Sequence, residues 1–207
     1  SVFPYTPLFP KTGEQWLALD LEVENDFFSI NGVAFINDSI PNALTLIKSL
    51  NPREPILHNF VPKNFTTYLS LMVDNVRQLE DNFKDYSRKA NIPLSKIDFS
   101  PLNSISEIGW LNVGMQQSII FHLNSLEDIP NFDTGQEEPK TYRGINYYKI
   151  DLPKDIKSML SSFGQKISPT WSCQYEDYLI LSETESGIKN ILSNYLDQNT
   201  LNKDLNF

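Results

Sequence analysis

The chain has 207 residues, 40% of them hydrophobic, enough to bury a sizeable core in one large domain or two small ones. Thirteen Phe, nine Tyr and three Trp make it aromatic-rich, and 8 Gly against 13 Pro excludes collagen-like and flexible low-complexity sequence. Twenty-six acidic against 17 basic residues leave a net charge of −9, which repels nucleic-acid backbones and anionic lipid heads, so no nucleic acid is expected as a partner.

Residues 1–15 carry three prolines and read as an extended lead-in. Leu17, Leu19, Leu21 and Val23 then alternate with Ala18, Asp20, Glu22 and Glu24, the pattern of an antiparallel strand with one wet face. Asn25-Asp26 and Asn31-Gly32 read as turns around Phe27–Ile30 and Val33–Ile36, giving a three-stranded meander. Asp38 or Ser39 caps a short helix with Ile40, Ala43, Leu44, Ile47 and Leu50 on its apolar side, stopped by Asn51-Pro52. A proline-punctuated connector leads to a strand over Thr67–Val73. Asp74 caps a helix whose face is Val76, Leu79, Phe83 and Tyr86, with Glu80–Lys84 and Asp85–Lys89 as outward acid-before-base pairs. Residues 92–104 read as a loop.

Strands follow over Ile108–Val113 and Ser118–Leu123, joined by Gly114–Gln117, and Ser125 opens a helical turn through Ile129. The acidic, proline-bounded stretch 130–140 is the best loop in the chain. Tyr142–Ile150 reads as one strand, and Pro153 starts a helix with Ile156, Met159, Leu160 and Phe163 inside and Gly164 as its stop. Next comes a complete strand–turn–strand–helix unit: Trp171, Cys173 and Tyr175 alternate, Glu176-Asp177 turns, Tyr178–Leu181 is an apolar run, and Ser182 with Glu185 forms a capping box. Ile188, Ile191, Leu192 and Tyr195 line the buried face of that helix. The fold class expected is α+β, with antiparallel sheet built from strand–strand–helix units and helices on one face. Residues 1–207 make one such region, with a finer division into subdomains of about 1–129 and 141–207 joined by the acidic loop. Trp16, Trp110 and Trp171 each open a strand pair, but their unequal spacing to the next cap argues against a true repeat.

Chemistry-bearing motifs are sparse. GxSxG, P-loop, GxGxxG and CxxC are absent, and His58 and His122 sit in no paired-ligand spacing. Cys173 permits no internal disulfide and reads as a small buried hydrophobe. Asp20, Glu22 and Glu24 read as a solvated strand face, and Asp133, Glu137 and Glu138 as solubilising loop charges. No catalytic residue, cofactor or metal is therefore expected. Tyr142, Tyr147, Tyr148, Trp110 and Trp171 lie on strands, and a strand has two faces, so those left out of one core would form an outward patch for a glycan, a peptide or a neighbouring domain. Core packing is the simpler reading of each. No apolar run reaches the about 18 residues that a membrane span requires. The chain opens at Ser1 without an initiator Met or leader, and reads as an N-terminal fragment of a longer protein.

The C-terminal run DYLILSETESGIKNILSNYLDQNTLNKDLNF resembles the end of a module in a family of exported bacterial proteins of unknown function, mostly of bacteroidete type. Asp177, Tyr178, Leu179, Ser182, Glu183, Tyr195, Asn199, Thr200, Leu201, Asp204 and Phe207 carry the resemblance, and WLALD and FINDSIPNALTL are similar to the same family's opening segments. The resemblance implies an α+β region, often behind a lipoprotein-type leader, preceding a β-rich, propeller-like region. It implies that Asn199–Phe207 docks onto that next segment, leaving Leu201 and Phe207 partly unpaired here. The expected function is a non-catalytic extracytoplasmic interaction or scaffold domain, partnered by its own C-terminal neighbour or an envelope protein. The alternative is a glycan- or small-ligand-binding module using the aromatic patch. The residues expected at the surface are Trp110, Tyr142, Tyr147, Tyr148, Leu201 and Phe207.

Overall fold

The computed structural model describes residues 16–23, 28–35, 37, 39, 43–91, 99–125, 138–153, 156–157, 160 and 167–203, and within the first two strands the side chains of Asp20 and Val33. The expected lead-in 1–15, the helical turn after Ser125, loop residues 130–137 with Asp133 and Glu137, Met159, Phe163, Gly164 and Phe207 lie outside the described residues. The chain divides into two compact units, Ser1–Leu50 with Arg77–Ser95, and Asn51–Val76 with Lys96–Phe207.

In the first unit, β1 (Trp16–Val23) pairs with β2 (Phe28–Phe35) antiparallel, from Trp16 opposite Phe35 to Val23 opposite Phe28. Asn31-Gly32 therefore lies inside β2, opposite Asp20 and Leu19, and the expected meander is a two-stranded hairpin. Eight consecutive cross-strand pairs with β1 outweigh the local turn preference of Asn-Gly. Asp20 is exposed, as a wet face requires. The expected helix after Ser39 is a 3-10 turn over Ala43–Ile47. Its tighter winding buries Leu46 and Thr45 and turns Ile47 out to 45% exposure, the reverse of the α-helical pattern. The helix α1 (Val76–Lys89), which belongs to this unit from Arg77 onward, buries Leu79 and Phe83 as its periodicity dictates. It also buries Asn82, whose amide donates to the carbonyls of Leu46 (3.1 Å) and Lys48 (2.7 Å) and so closes the end of the 3-10 turn. The outward pairs form as expected: Glu80 to Lys84 at 2.6 Å, and Asp85 to Lys89. The Asp74 carboxylate accepts from the backbone N–H and side-chain amide of Asn51 (3.1 and 2.6 Å) rather than serving as the cap assigned to it.

The second unit is built on a seven-stranded antiparallel sheet. Its strands are β3 (Thr67–Met72), β4 (Ile105–Val113), β5 (Gln116–Leu123), β6 (Lys140–Tyr142), β7 (Ile145–Lys149), β8 (Trp171–Tyr175) and β9 (Tyr178–Ser182), in the order β3-β4-β5-β9-β8-β7-β6. Because β5 pairs with β9, the sheet draws strands from both sides of residues 130–140, and the division expected there does not coincide with the compact units. The single strand expected over Tyr142–Ile150 is the hairpin β6–β7. Arg143 and Gly144 turn it with φ of 49° and 84°, the two positive values of a tight hairpin turn, supplied here by a dipeptide less typical than Asn-Gly. The Glu176-Asp177 turn stands where the sequence placed it, with Glu176 at φ 53°.

The helix α2 (Glu185–Leu196) packs on β5, β8 and β9. Ile188, Ile191 and Leu192 join Leu111, Ile120, Ile145, Tyr147, Cys173, Tyr178 and Ile180 from the sheet in one cluster, completed by Leu57, Phe60, Val61 and Leu201. Gly109 in β4 admits Leu57 at close quarters, since a Cβ there would meet Leu57 Cδ1 at 2.8 Å. Register places Ile108, Trp110, Ile119, Phe121, Leu179 and Leu181 on the opposite face, and these are buried as well. The central strands are thus covered on both faces, which explains why β9 reads as a continuous apolar run and why β4 is buried on both faces through its first seven residues. Each such fully buried side chain is worth about 1.5–3 kcal/mol of transfer free energy.

The cap of α2 is Thr184, whose Oγ1 accepts from the Gly187 N–H at 3.1 Å. Ser182, expected in that role, is the last residue of β9, still paired to Trp171 and Ser118. Its buried hydroxyl accepts from Ser118 Oγ (2.9 Å) and donates to the Gln117 carbonyl (3.3 Å). The chain stays in the sheet until its ladder ends, and the next hydroxyl takes the cap.

Candidate functional site

The expected aromatic surface separates once the sheet is closed on both faces. Trp110 and Tyr147 are core residues on opposite faces and are corrected off the surface, because the face the sequence left open is itself covered. Leu201 is also buried. Its N–H donates to the Val61 carbonyl at 2.8 Å, Lys63 N donates to Asn199 O at 3.1 Å, and Pro62 bridges Thr200, so the segment is tied into its own unit rather than left unpaired. Tyr142, Tyr148 and Trp171 are half-buried. Lys140 Nζ lies 4.8 Å from the Trp171 ring centre and the Arg143 guanidinium 5.7 Å from that of Tyr142. These cations occupy ring faces on which a sugar would stack.

Around Trp171 the β6–β7 hairpin is bound to the first turn of α2. Glu185 accepts from Lys140 (2.6 Å), Lys189 (2.6 Å) and the Tyr147 hydroxyl (2.8 Å). Lys140, then Lys189, then Tyr147 hold its carboxyl down to about 2. A folded value below the ordinary 4.5 contributes stability that is present above that value and is lost as pH falls towards about 2. Glu185→Gln is expected to flatten the acid limb of the stability–pH curve in that window, read as thermal midpoint against pH; an unchanged limb rejects the assignment.

A second constellation joins residues far apart in the chain. His122 Nε2 lies 3.1 Å from Asp177 Oδ2, and His122 Nδ1 lies 2.5 Å from Ser106 Oγ. With the Nε2 proton donated to the carboxylate, a neutral imidazole accepts the serine hydroxyl at Nδ1. Ser106 is the extra residue of a β-bulge in β4, between the Ile105–Leu123 and Glu107–His122 pairs. Serine, imidazole and carboxylate in hydrogen-bonded series are the parts of an acyl-transfer triad. Their burial runs the wrong way for that chemistry: Ser106 is 8% exposed, the His122 side chain 13% and that of Asp177 49%. The hydroxyl sits at the inner end and the carboxylate in solvent, so the series ties the bulge and β5 to the β8–β9 turn. Beside it Tyr178 lies edge-on to the His122 ring and stacks on Phe60 at 4.3 Å. Burial and then the Asp177 charge push its hydroxyl up to about 12. Cys173, also raised to about 12 by burial, carries negligible thiolate at neutral pH.

The two ends of the sheet differ. At one end β6 has three residues, and Lys140 within it is ion-paired. At the other, β3 has six residues, TYLSLM, with neither charge nor proline, and Leu69 is 42% exposed. The backbone bonds flanking it, Thr66 N to Asn112 O and Val73 N to Ser106 O, run to the β4 side. Short length and charge are how an edge is normally protected; β6 has both and β3 neither. The sequence displays the composition of β3 but not its position at the edge, which only the order of strands in the sheet decides. The Ser106–His122–Asp177 series was equally hidden, since only strand register brings its members together.

Among the described residues no group of three metal-ligating side chains converges, and no helix is long and apolar enough to cross a membrane. No family model, curated protein or solved structure matches the chain.

Proposed function

We propose that the chain is a non-catalytic interaction or scaffold domain of the cell envelope, and that its β3 edge receives an extended partner segment. The observation that carries this reading is the edge itself: six residues without charge or proline, an exposed Leu69 at mid-strand, and a terminal place in the sheet, where among the described residues no strand pairs with the outer side. The extracytoplasmic placement, and a neighbouring C-terminal region of the same protein as one partner, rest on the family resemblance. Strand–strand–helix construction belongs to the same reading, with β8, β9 and α2 as its complete copy.

The test is a thermal-unfolding screen against short extended peptides of alternating apolar residues, cell-wall fragments, oligosaccharides, Ca²⁺ and EDTA. A ligand at about a hundred times its dissociation constant adds about 2.7 kcal/mol, on the order of 5–10 °C for a chain of this size. Peptides are expected to raise the midpoint and oligosaccharides to leave it in place. A shift produced by oligosaccharides alone would replace this reading with the glycan-binding one.

A further inference from the structure

We infer that the strand received at β3 is the β3 of a second copy, paired antiparallel about a two-fold axis. The inference rests on the reading of β3 as the interaction edge and names its occupant. An open edge demands an extended backbone, and side-chain charge decides which one. The chain carries a net charge of −9, so copies repel over most orientations. Thr67–Met72 has no charge of its own, and its ends are opposite in sign, with Lys63 before it and Asp74 after it. Antiparallel pairing sets the Lys63 end of each copy against the Asp74 end of the other; parallel pairing would set like ends together.

Register completes the argument. Thr67, Leu69 and Leu71 share the face that Asn112, Trp110 and Ile108 occupy in β4. A two-fold perpendicular to the sheet keeps faces aligned, so pairing centred on Leu69 places it opposite its own copy, with Thr67 opposite Leu71 on either side. The exposed apolar side chain then becomes the centre of an isologous contact, and the sheet continues across both copies. No such arrangement is open to β6, which is too short and carries Lys140.

Sedimentation velocity over a wide concentration range tests this on the intact chain. A reversible dimer is expected, and Leu69→Lys is expected to weaken it at least about tenfold by setting two ammonium groups against each other at the axis. Met115→Lys, at the fully exposed β4–β5 turn, is the control that should leave association unchanged. The thermal midpoint of each variant, taken at the lowest concentration, verifies folding, and amide exchange should slow at residues 67–72 as concentration rises. A wild-type chain that stays monomeric, or a dimer that survives Leu69→Lys intact, overturns the inference. A peptide-induced rise in midpoint would in that case leave the proposed function standing with a different strand as partner.

Discussion

Replacing Glu107 by alanine is expected to lower the unfolding free energy by about 2–5 kcal/mol. Glu107 is a buried carboxylate in β4. Its Oε2 accepts from the backbone N–H groups of Ile56 (2.6 Å) and Leu57 (3.0 Å), and its Oε1 from the Tyr68 hydroxyl (3.3 Å). Those two N–H groups open the 3-10 turn Leu57–Asn59, whose N-cap Ile56 has no side chain able to take them. Alanine would strand a buried donor at Leu57, leave a cavity, and loosen the segment that seats Leu57 and Phe60 over the sheet. Glutamine is the informative comparison: with its carbonyl at the Oε2 position it keeps both backbone bonds, and its NH2 faces a tyrosine oxygen that can accept. Its loss should be well under half that of alanine. Chemical denaturation with unchanged slope measures both. An alanine variant within about 0.5 kcal/mol of wild type would mean the 3-10 turn is held by its apolar contacts alone.

Gly187→Ala should also destabilise, by about 1–3 kcal/mol, although alanine is intrinsically the better helix former by about 1 kcal/mol. A Cβ at this position would fall on the Ser182 hydroxyl, with Ser182 Cβ at 3.2 Å and Ser118 Oγ at 3.3 Å. The obstruction is the end of β9 and the middle of the sheet, neither of which can retreat, since Ser182 is paired on both sides. The first turn of α2 would have to lift, weakening the Thr184 cap on the Gly187 N–H and the seat of Ile188. A double-mutant cycle isolates the clash. Ser182→Ala alone loses the bonds to Ser118 and Gln117, yet in the Gly187→Ala background it removes the obstructing oxygen, so the double variant should be more stable than the sum of the two losses. Strict additivity would mean that α2 does not approach β9 this closely.

Gly187 and Glu107 also mark where sequence reasoning stops. The glycine reads locally as an ordinary helix residue, and the glutamate lies just outside the strand expected from Ile108 onward. Their roles come from Ser182 beneath the one and from Ile56, 51 residues away, above the other. The same holds for His122, which alternation shows only as a polar residue among apolar neighbours, while its partners arrive from elsewhere in the chain, Ser106 from β4 and Asp177 from the β8–β9 turn.

What the sequence by itself determined was local. It set the buried faces of α1 and α2, the hairpin over β4 and β5, the Glu176-Asp177 turn, the outward ion pairs of α1 and the antiparallel α+β character. Each follows from periodicity or turn chemistry within about a dozen residues, where neighbours in sequence are neighbours in space. Tertiary structure alone decided that the Asn-Gly of β2 extends rather than turns, that Thr184 rather than Ser182 caps α2, and that both faces of the sheet are covered, which draws Trp110 and Tyr147 inside. It also decided that Leu201 closes its own core and that, among the described residues, the six-residue β3 stands at the end of the sheet opposite the three-residue β6. The physical reason is common to all of these. Alternation reports that a strand is buried, but the partner that buries it is chosen by pairings such as β5 with β9, across more than fifty residues of chain. A strand's place in the sheet is therefore a property of the assembled ladder.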